Sequence, residues 1–252
     1  MRRRIRVLRE SFPDPPEMDT AVSHALLRRA SDGQIAESLR LYRPGDVVAF
    51  GPRDRVAPGF PEAVRAARVQ GFEAIERLAG GRAAVFHPGT IAFSWLIPDA
   101  SPREGIRPRF DVLAEIVVGA LRALGVDARA GEVPGEYCPG EHSVNARGRT
   151  KLMGVGQRVI ARAAHVGGVI VVSDSARIRE VLLPVYEALD LAWEPATVGS
   201  LGDEIPGIGW ESAAEALLEA FAARFELVSG RVDAPTIEAA ERLRPRHRLV
   251  RS

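Results

Sequence analysis

The chain has one lysine and one cysteine, and both lie in the stretch EYCPGEHSVNARGRTKLMGVGQRV. Cys138 is followed by Pro139 and Gly140, so it belongs to a loop, where a thiol can act as a nucleophile if a neighbour stabilises its thiolate. Lys151, thirteen residues later, is the first candidate for that neighbour, and His142 is the second. An inert loop cysteine and a lysine left by arginine-rich codon usage are the alternative interpretation.

One glycine-rich segment precedes this stretch, and a second lies at its end. RLAGGRAAVFHPG places Gly80 and Gly81 next to Arg82, and adjacent glycines let a ligand approach the backbone closely. KLMGVGQR places Gly154 and Gly156 two residues apart, which leaves one face of a strand without side chains. Neither segment matches a Walker A loop or the dinucleotide-binding fingerprint, so the spacing alone does not identify a ligand.

The elements that must position these residues alternate between helices and strands without regular βαβ order. Helical spacing of apolar residues predicts helices over 19–30, 61–70, 111–124, 175–189 and 212–225. LRLYRPGDVVAFG predicts two strands broken at Pro44-Gly45, and AAVFH with TIAFSWLI predicts a strand pair joined at Pro88-Gly89. EHSVNARGRTKLMGV predicts a hairpin that turns at Arg147-Gly148. GGVIVVS predicts a buried strand, and the whole pattern indicates an α+β domain.

Composition limits the classes of function. A net charge of +1 gives no reason to expect nucleic acid or an acidic membrane as partner. No stretch reaches the roughly 20 apolar residues that a membrane helix needs. One cysteine allows no internal disulfide and no cysteine-rich zinc site, and the five histidines lack metal-ligand spacing, so no metal is expected. We therefore expect a cytoplasmic protein with a reduced thiol.

The three quoted regions occur in an order that resembles the lipoate–protein ligase and octanoyltransferase family, which shares its fold with biotin protein ligase. The regions are LRLYRPGDVVAFG, ERLAGGRAAVFHPGTIAFSWLI and CPGEHSVNARGRTKLMGVGQRV. The resemblance implies an α+β catalytic domain with mixed β-sheets flanked by helices over residues 1–225. Residues 226–252 are then expected to form a short helical and basic tail, with no separate accessory domain.

The same resemblance implies roles for individual residues. Cys138 matches the cysteine that carries the acyl group as a thioester in one transferase branch, and Lys151 matches the lysine expected to contact the acyl carbonyl and its oxyanion. Where relatives usually have Tyr-Asp or Asn-Asp before the hairpin, this sequence reads His142-Ser143. The residues expected to bind the acyl substrate are Arg77, Gly80, Gly81, Arg82, His87, Gly154, Gly156 and Gln157.

The function that the resemblance implies is transfer of an octanoyl or lipoyl group onto the lysine of a lipoyl-carrier domain. The expected partners are the H protein or the E2 subunit of a 2-oxoacid dehydrogenase, with acyl carrier protein as a further candidate. This transferase would require no cofactor. One alternative is an ATP-dependent lipoate–protein ligase, which would need ATP and Mg²⁺. The other is a family member that binds acyl groups without catalysis.

Overall fold

Strands and helices occupy most of the chain. The computed structural model describes residues 2–249. The strands within that range are β1 Arg4–Leu8, β2 Ser38–Tyr42, β3 Val47–Phe50, β4 Glu73–Glu76, β5 Ala84–Phe86, β6 Thr90–Pro98, β7 Ala128–Ala130, β8 Val144–Ala146, β9 Thr150–Ile160, β10 Ala163–Val171 and β11 Glu226–Ser229. The helices are α1 Met18–Ser31, α2 Pro52–Arg55, α3 Phe60–Val69, α4 Ile106–Ala123, α5 Ser175–Ala188, α6 Leu201–Glu204, α7 Trp210–Ala222 and α8 Ala234–Leu243.

These strands form two sheets. The larger sheet has the order β11-β1-β2-β6-β10-β9-β8-β7, and the smaller has the order β4-β3-β5. Both sheets are mixed: β1 runs parallel to β2 and β11, β3 runs parallel to β4, and the other pairs are antiparallel. The α+β class with mixed sheets and flanking helices is confirmed.

Helices cover both faces of the larger sheet, and this explains the apolar run of its central strand β6. Trp95 packs in the cluster that contains residues of α4 and α7, whereas its neighbour Leu96 packs with α1 and α8. Both residues are essentially unexposed. A strand that is buried on both faces loses the alternation of polar and apolar residues that a half-exposed strand has.

The smaller sheet has a helix-covered face and a face that is turned towards the larger sheet. Val48 and Phe50 pack with residues of α3 and α5. The intervening Val47 and Ala49 form a separate small cluster with Ile75 and the partly buried Phe86. This second face borders a cavity whose other wall includes residues of β10.

Two Pro-Gly pairs mark the points where the chain passes between the sheets. The strands on either side of Pro44-Gly45 are β2 of the larger sheet and β3 of the smaller sheet. The prediction that the strands around Pro88-Gly89 pair with each other is wrong, because β5 pairs with β3 and β6 pairs with β2 and β10. Turn residues indicate that the chain changes direction, but they do not fix the partner of the next strand.

The predicted helices and the predicted hairpin are present. Helix α4 begins at Ile106, five residues before the predicted start. The prediction missed the first turn because the buried Arg109 interrupts the apolar spacing there. The hairpin turns at Arg147 and Gly148, both of which have positive φ.

Residues 226–249 pack against the rest of the fold. Strand β11 lies beside β1, with Arg4 opposite Glu226, and α8 packs on α1, where Ala240 is fully buried. The stretch predicted as a helical tail thus supplies an edge strand and a helix, and its last residues, 250–252, lie outside the described residues. No helix within residues 2–249 combines the length and apolar character needed to cross a membrane.

A prediction follows from the close approach of β9 and β10. A Cβ added at Gly168 would overlap the carbonyl oxygen of Gly154 and meet the Phe93 ring. We expect Gly168→Ala to lower the free energy of unfolding by about 1–3 kcal/mol, because the strands must separate to admit the methyl group. Urea unfolding followed by circular dichroism measures this change.

The matched control is Gly119→Ala in the exposed part of α4, where an added Cβ meets no atom within 4 Å. There the same substitution should raise the free energy of unfolding by about 0.4–1 kcal/mol, because alanine restricts the unfolded chain. Equal effects at the two positions would contradict the packing argument.

Candidate active site

A cavity of about 340 Å³ lies beside strand β9 and the loop that carries Cys138. We call it the Cys138 cavity. Its lining contains eight of the ten residues that the sequence predicts for the site. These eight are Arg77, Gly80, Gly81, Cys138, Lys151, Gly154, Gly156 and Gln157.

The other two predicted residues lie differently. Arg82 contributes its backbone, and its side chain turns away to the carboxylate of Asp54 and the carbonyl oxygen of Arg53. His87 is 1% exposed and belongs to the turn before β6, where its Nδ1 accepts from the N–H of Gly89. The structure does not bring the His87 side chain to the Cys138 cavity.

Lys151 lies on β9 and its side chain is 1% exposed. Its Nζ donates to Glu136 Oε1 at 2.8 Å, to the Tyr137 carbonyl at 2.9 Å and to the Cys138 carbonyl at 2.8 Å. An ammonium group has three N–H donors, and these three acceptors use all of them. In this structure Lys151 therefore holds the cysteine loop, whereas the sequence predicted that its donors face an acyl carbonyl.

Glu136 is the buried acceptor at the centre of this arrangement, with 3% of its surface exposed. Besides Lys151, its Oε1 accepts from the hydroxyl of Ser143 at 2.6 Å, and its Oε2 accepts from the N–H of Val133 at 3.0 Å. Both carboxylate oxygens thus have partners. The Ser143 hydroxyl donates to a carboxylate and does not supply one.

A second set of bonds fixes Cys138 from the opposite side. Cys138 has a φ of 42°, and its backbone N–H donates to the hydroxyl oxygen of Tyr186 at 2.9 Å. That hydroxyl in turn donates to the carbonyl of Ala83 at 3.0 Å. Burial raises the pKa of Tyr186 well above its usual value, so the hydroxyl keeps the proton that it donates.

Two N–H donors point at the sulfur. The backbone N–H of Arg82 lies 3.2 Å from Cys138 Sγ, and Arg77 Nη1 lies 3.6 Å from it. The same Nη1 donates to the carbonyl of Arg82 at 2.7 Å, which holds the guanidinium in place. Both N–H groups are placed to stabilise negative charge that develops on the sulfur during a reaction.

The thiolate partners therefore differ from the predicted ones. Lys151 contacts the carbonyl of Cys138 but not its sulfur. His142, the second candidate, stacks on Phe110 with ring centroids 4.9 Å apart and pairs with Asp111 at 2.9 Å. The sequence could not distinguish these neighbours, because the choice depends on how the loop folds back.

Gly81 makes the approach of Arg77 to the sulfur feasible. Its φ is +117°, in the region that favours glycine. A Cβ there would lie 2.7 Å from Arg77 Nη1 and 3.0 Å from Cys138 Sγ. The glycine-rich segment thus brings the guanidinium and an amide to the thiol.

Gln157 links two of the elements that line the Cys138 cavity. Its Oε1 accepts from Arg109 Nε at 2.8 Å, and its Nε2 donates to the carbonyl of Ile106 at 3.1 Å. Arg109 also pairs with Asp99 at 2.8 Å. The glutamine of the motif therefore joins β9 to the first turn of α4, and Ile106 and Phe110 of that helix line the cavity.

A second cavity adjoins the first and runs between the sheets. We call it the inter-sheet cavity. Arg77, Phe86 and Gly168 line both cavities. Its walls include the apolar face of the smaller sheet, with Val47, Ala49 and Ile75, and polar groups are present at Asp19, Ser23, Tyr42 and His165. This arrangement suits an aliphatic chain whose reactive end lies at the thiol.

Sequence reasoning missed Glu136, Tyr186 and Arg109. Glu136 is two residues before the cysteine, but no spacing rule distinguishes it from the chain's other carboxylates. Tyr186 and Arg109 belong to helices whose apolar residues carried the sequence signal. Within residues 2–249, no three His, Cys, Asp or Glu side chains come together as metal ligands.

Similarity to known proteins extends over most of the chain. A family model described as the lipoyl protein ligase A/B catalytic domain matches residues 15–222. An octanoyl-[GcvH]:protein N-octanoyltransferase of Geobacillus kaustophilus is 27% identical over 168 residues, 66% of this chain and 59% of the relative. A lipoyl-[GcvH]:protein N-lipoyltransferase of Listeria monocytogenes is 23% identical over 146 residues, 58% of this chain and 52% of the relative. The chain thus covers about half to three fifths of these relatives.

Solved structures share the fold. A lipoate-protein ligase A bound with ATP superposes with a TM-score of 0.77 at 20% identity, covering 97% of this chain and 95% of the other. A chain from the bi-partite lipoate protein ligase structure of Thermoplasma acidophilum gives a TM-score of 0.75 at 22% identity, covering 97% and 92%. At these identities the matches establish the fold alone.

One prediction concerns the hydroxyl that holds the cysteine loop. Tyr186→Phe leaves the Cys138 N–H and the Ala83 carbonyl without their partner. We expect a loss of about 1–3 kcal/mol in the free energy of unfolding and a changed rate of Cys138 alkylation by iodoacetamide. Tyr42→Phe removes another buried hydroxyl, which bonds to Ser23, and should leave the alkylation rate unaltered. An effect on alkylation from both variants would contradict this assignment.

A second prediction concerns pH. Burial, with smaller contributions from His24 and Arg77, lowers the pKa of His165 from 6.5 to about 3. The unfolded chain therefore binds the proton first, and stability decreases as pH falls from about 6.5 towards 3. Between pH 7.5 and 5, wild-type protein should lose about 2 kcal/mol more than His165→Gln. Urea titrations at both pH values measure this, and parallel losses would refute it.

Proposed function

This chain belongs to the lipoyl protein ligase A/B catalytic domain family, and on that premise we propose that it is a cysteine-dependent octanoyl or lipoyl transferase. The observation that carries the proposal is the position of Cys138. Its half-buried sulfur lies at a cavity with N–H groups of Arg82 and Arg77 directed at it. A thiol in that setting is equipped to accept an acyl group.

The reaction consists of two acyl transfers. The Cys138 thiol gives up its proton, and the resulting thiolate attacks the acyl carbonyl carbon of the donor. The bond from that carbon to the donor carrier breaks, and the leaving atom of the carrier takes up a proton in place of the one that the thiol released. The amine of an acceptor lysine then attacks the thioester carbonyl. The C–S bond breaks, and the amine proton returns to the sulfur or to water. Atoms and charge balance without an oxidant, a reductant or a nucleotide.

Arg77 and the Arg82 amide stabilise negative charge on the sulfur in both steps. Negative charge is on the sulfur before attack and again when the thioester breaks. A guanidinium and an amide N–H at 3.6 and 3.2 Å stabilise that charge without first having to reorient. Lys151 acts one step away, by holding the loop that presents the sulfur.

In this proposal the inter-sheet cavity binds the acyl chain. With the carbonyl carbon at Cys138, an aliphatic chain extends past Gly168 towards Val47, Ala49 and Ile75. Contact with these apolar side chains removes the chain from water, which favours binding.

The carriers are proposed from the named activities of the relatives. The Geobacillus kaustophilus relative is an octanoyl-[GcvH]:protein N-octanoyltransferase. We assign the same kind of donor to this chain, the octanoylated H protein, and the E2 lipoyl domain as acceptor. Acyl carrier protein is the other candidate donor. The reaction needs neither ATP nor Mg²⁺, and its thiol chemistry fits the reducing cytoplasm.

The test is intact-mass spectrometry of the protein after incubation with octanoylated H protein, octanoyl-acyl carrier protein, or free octanoate with and without ATP. We expect one octanoyl group on Cys138 from a carrier donor without ATP, and transfer onward when apo lipoyl domain is added. Cys138→Ala should take no acyl group and should lose transfer by at least a hundredfold, in line with removal of a covalent nucleophile.

Three outcomes would replace this proposal. Full transfer by Cys138→Ala would exclude the thioester. Transfer that occurs only with free octanoate and ATP, with release of pyrophosphate, would make the protein a ligase. Tight binding of octanoate without turnover on any carrier would make it an acyl-binding protein.

A further inference from the structure

We infer that Glu136 is a positioning residue of the transfer reaction, a role that rests on the proposed function. It fixes the ammonium group of Lys151, and through it the backbone of residues 137 and 138, so that the thiol stays against the Arg82 amide. Glu136 itself does not contact the sulfur or the acyl group.

The first support is that one carboxylate oxygen serves two neighbours. Glu136 Oε1 accepts from Lys151 Nζ at 2.8 Å and from Ser143 Oγ at 2.6 Å, while Oε2 accepts from the Val133 amide at 3.0 Å. These bonds span residues 133–151, which include most of the loop between β7 and β8. The carboxylate therefore joins both ends of the cysteine loop to strand β9.

The second support is the environment of the lysine. With side-chain exposures of 1% and 0%, Lys151 and Glu136 form a buried ion pair. An ammonium group that loses its buried carboxylate partner must find water or move, because an unpaired charge in the interior is strongly unfavourable. Either response breaks its bonds to the carbonyls of Tyr137 and Cys138.

The third support is that the sulfur depends on these carbonyl bonds. Lys151 holds the Cys138 carbonyl on one side, and Tyr186 holds the Cys138 amide on the other. With both in place the sulfur lies 3.2 Å from the Arg82 amide. Release of one side lets the thiol rotate away from its donors, and misplacement by about 1 Å can slow a reaction by a hundredfold.

The geometry also shows where a substitute carboxylate would work. Ser143 Oγ and Lys151 Nζ contact the same oxygen of Glu136, so an aspartate at position 143 would place a carboxylate within reach of the ammonium group. The double variant Glu136→Ser, Ser143→Asp keeps one carboxylate and one hydroxyl but exchanges their positions. It tests the role of the charge separately from the identity of residue 136.

The experiment compares wild type, Glu136→Gln, the double variant and Glu141→Gln. Glu141 lies in the same loop but is exposed and pairs with Arg107. Two rates are measured on protein whose fold is verified by circular dichroism: alkylation of Cys138 by iodoacetamide at fixed pH, and octanoyl transfer resolved into kcat and KM. Alkylation needs no acyl donor, so it separates this inference from the proposed function.

We expect Glu136→Gln to lower the alkylation rate and kcat by roughly ten- to a hundredfold with KM within twofold. Glu141→Gln should behave as wild type, and the double variant should recover most of both rates. Slow alkylation in Glu136→Gln together with no acyl transfer by wild-type protein would uphold the positioning role and overturn the proposed function.

The inference would be overturned if folded Glu136→Gln kept the alkylation rate and kcat of the wild-type protein and showed only a lower melting temperature. Glu136 would then be a structural residue. If Glu136→Gln does not fold, the double variant decides. A folded double variant with near wild-type alkylation supports the positioning role. A folded but slow double variant, or one that does not fold, refutes it, because the restored pairing should suffice.

Discussion

The buried ion pair between Lys151 and Glu136 is the interaction on which the site depends. Removing two charges from water costs several kcal/mol for each ion, so the pair persists only where every donor and acceptor is satisfied. The protein meets this condition with the carbonyls of Tyr137 and Cys138 and the hydroxyl of Ser143. All acceptors of the ammonium group thus come from consecutive residues, and the lysine dictates the shape of their loop. The planar fork of arginine could not reproduce this compact three-way contact.

The thiol lies where separate parts of the fold meet. The loop after β4 supplies Arg77 and Gly81, helix α5 supplies Tyr186, and β9 supplies the lysine. The gap between the sheets ends at the same place, and glycines on β9 and β10 leave room for it. Fixed charges around the sulfur and an apolar passage beside it are thereby built by different elements.

Part of this arrangement was readable from the sequence. Helices with regular apolar spacing and the hairpin before Lys151 were predictable, because their signals are local. Cys138 and Lys151 stood out as single residues of their types beside glycine-rich segments. Glu136 is one of 33 acidic residues and has no local signal. Its role arises from a buried contact with β9. The pairing of β1 with β11 likewise joins residues that are close in space but distant in the chain. Only the folded chain brings such partners together.

The pairing of β1 with β11 affects how the chain folds during synthesis. Arg4 lies opposite Glu226, a separation of 222 residues, and α8 packs on α1 near the same edge. During synthesis the early strand and helix leave the ribosome long before their partners exist. The edge of β1 that pairs with β11 and the face of α1 that packs on α8 remain uncovered until those residues are made, and uncovered strand edges and apolar faces are prone to aggregation. Closure of so long a loop also slows folding. This edge can assemble only after residues 226–243 have been synthesised, so its assembly is a late step of folding.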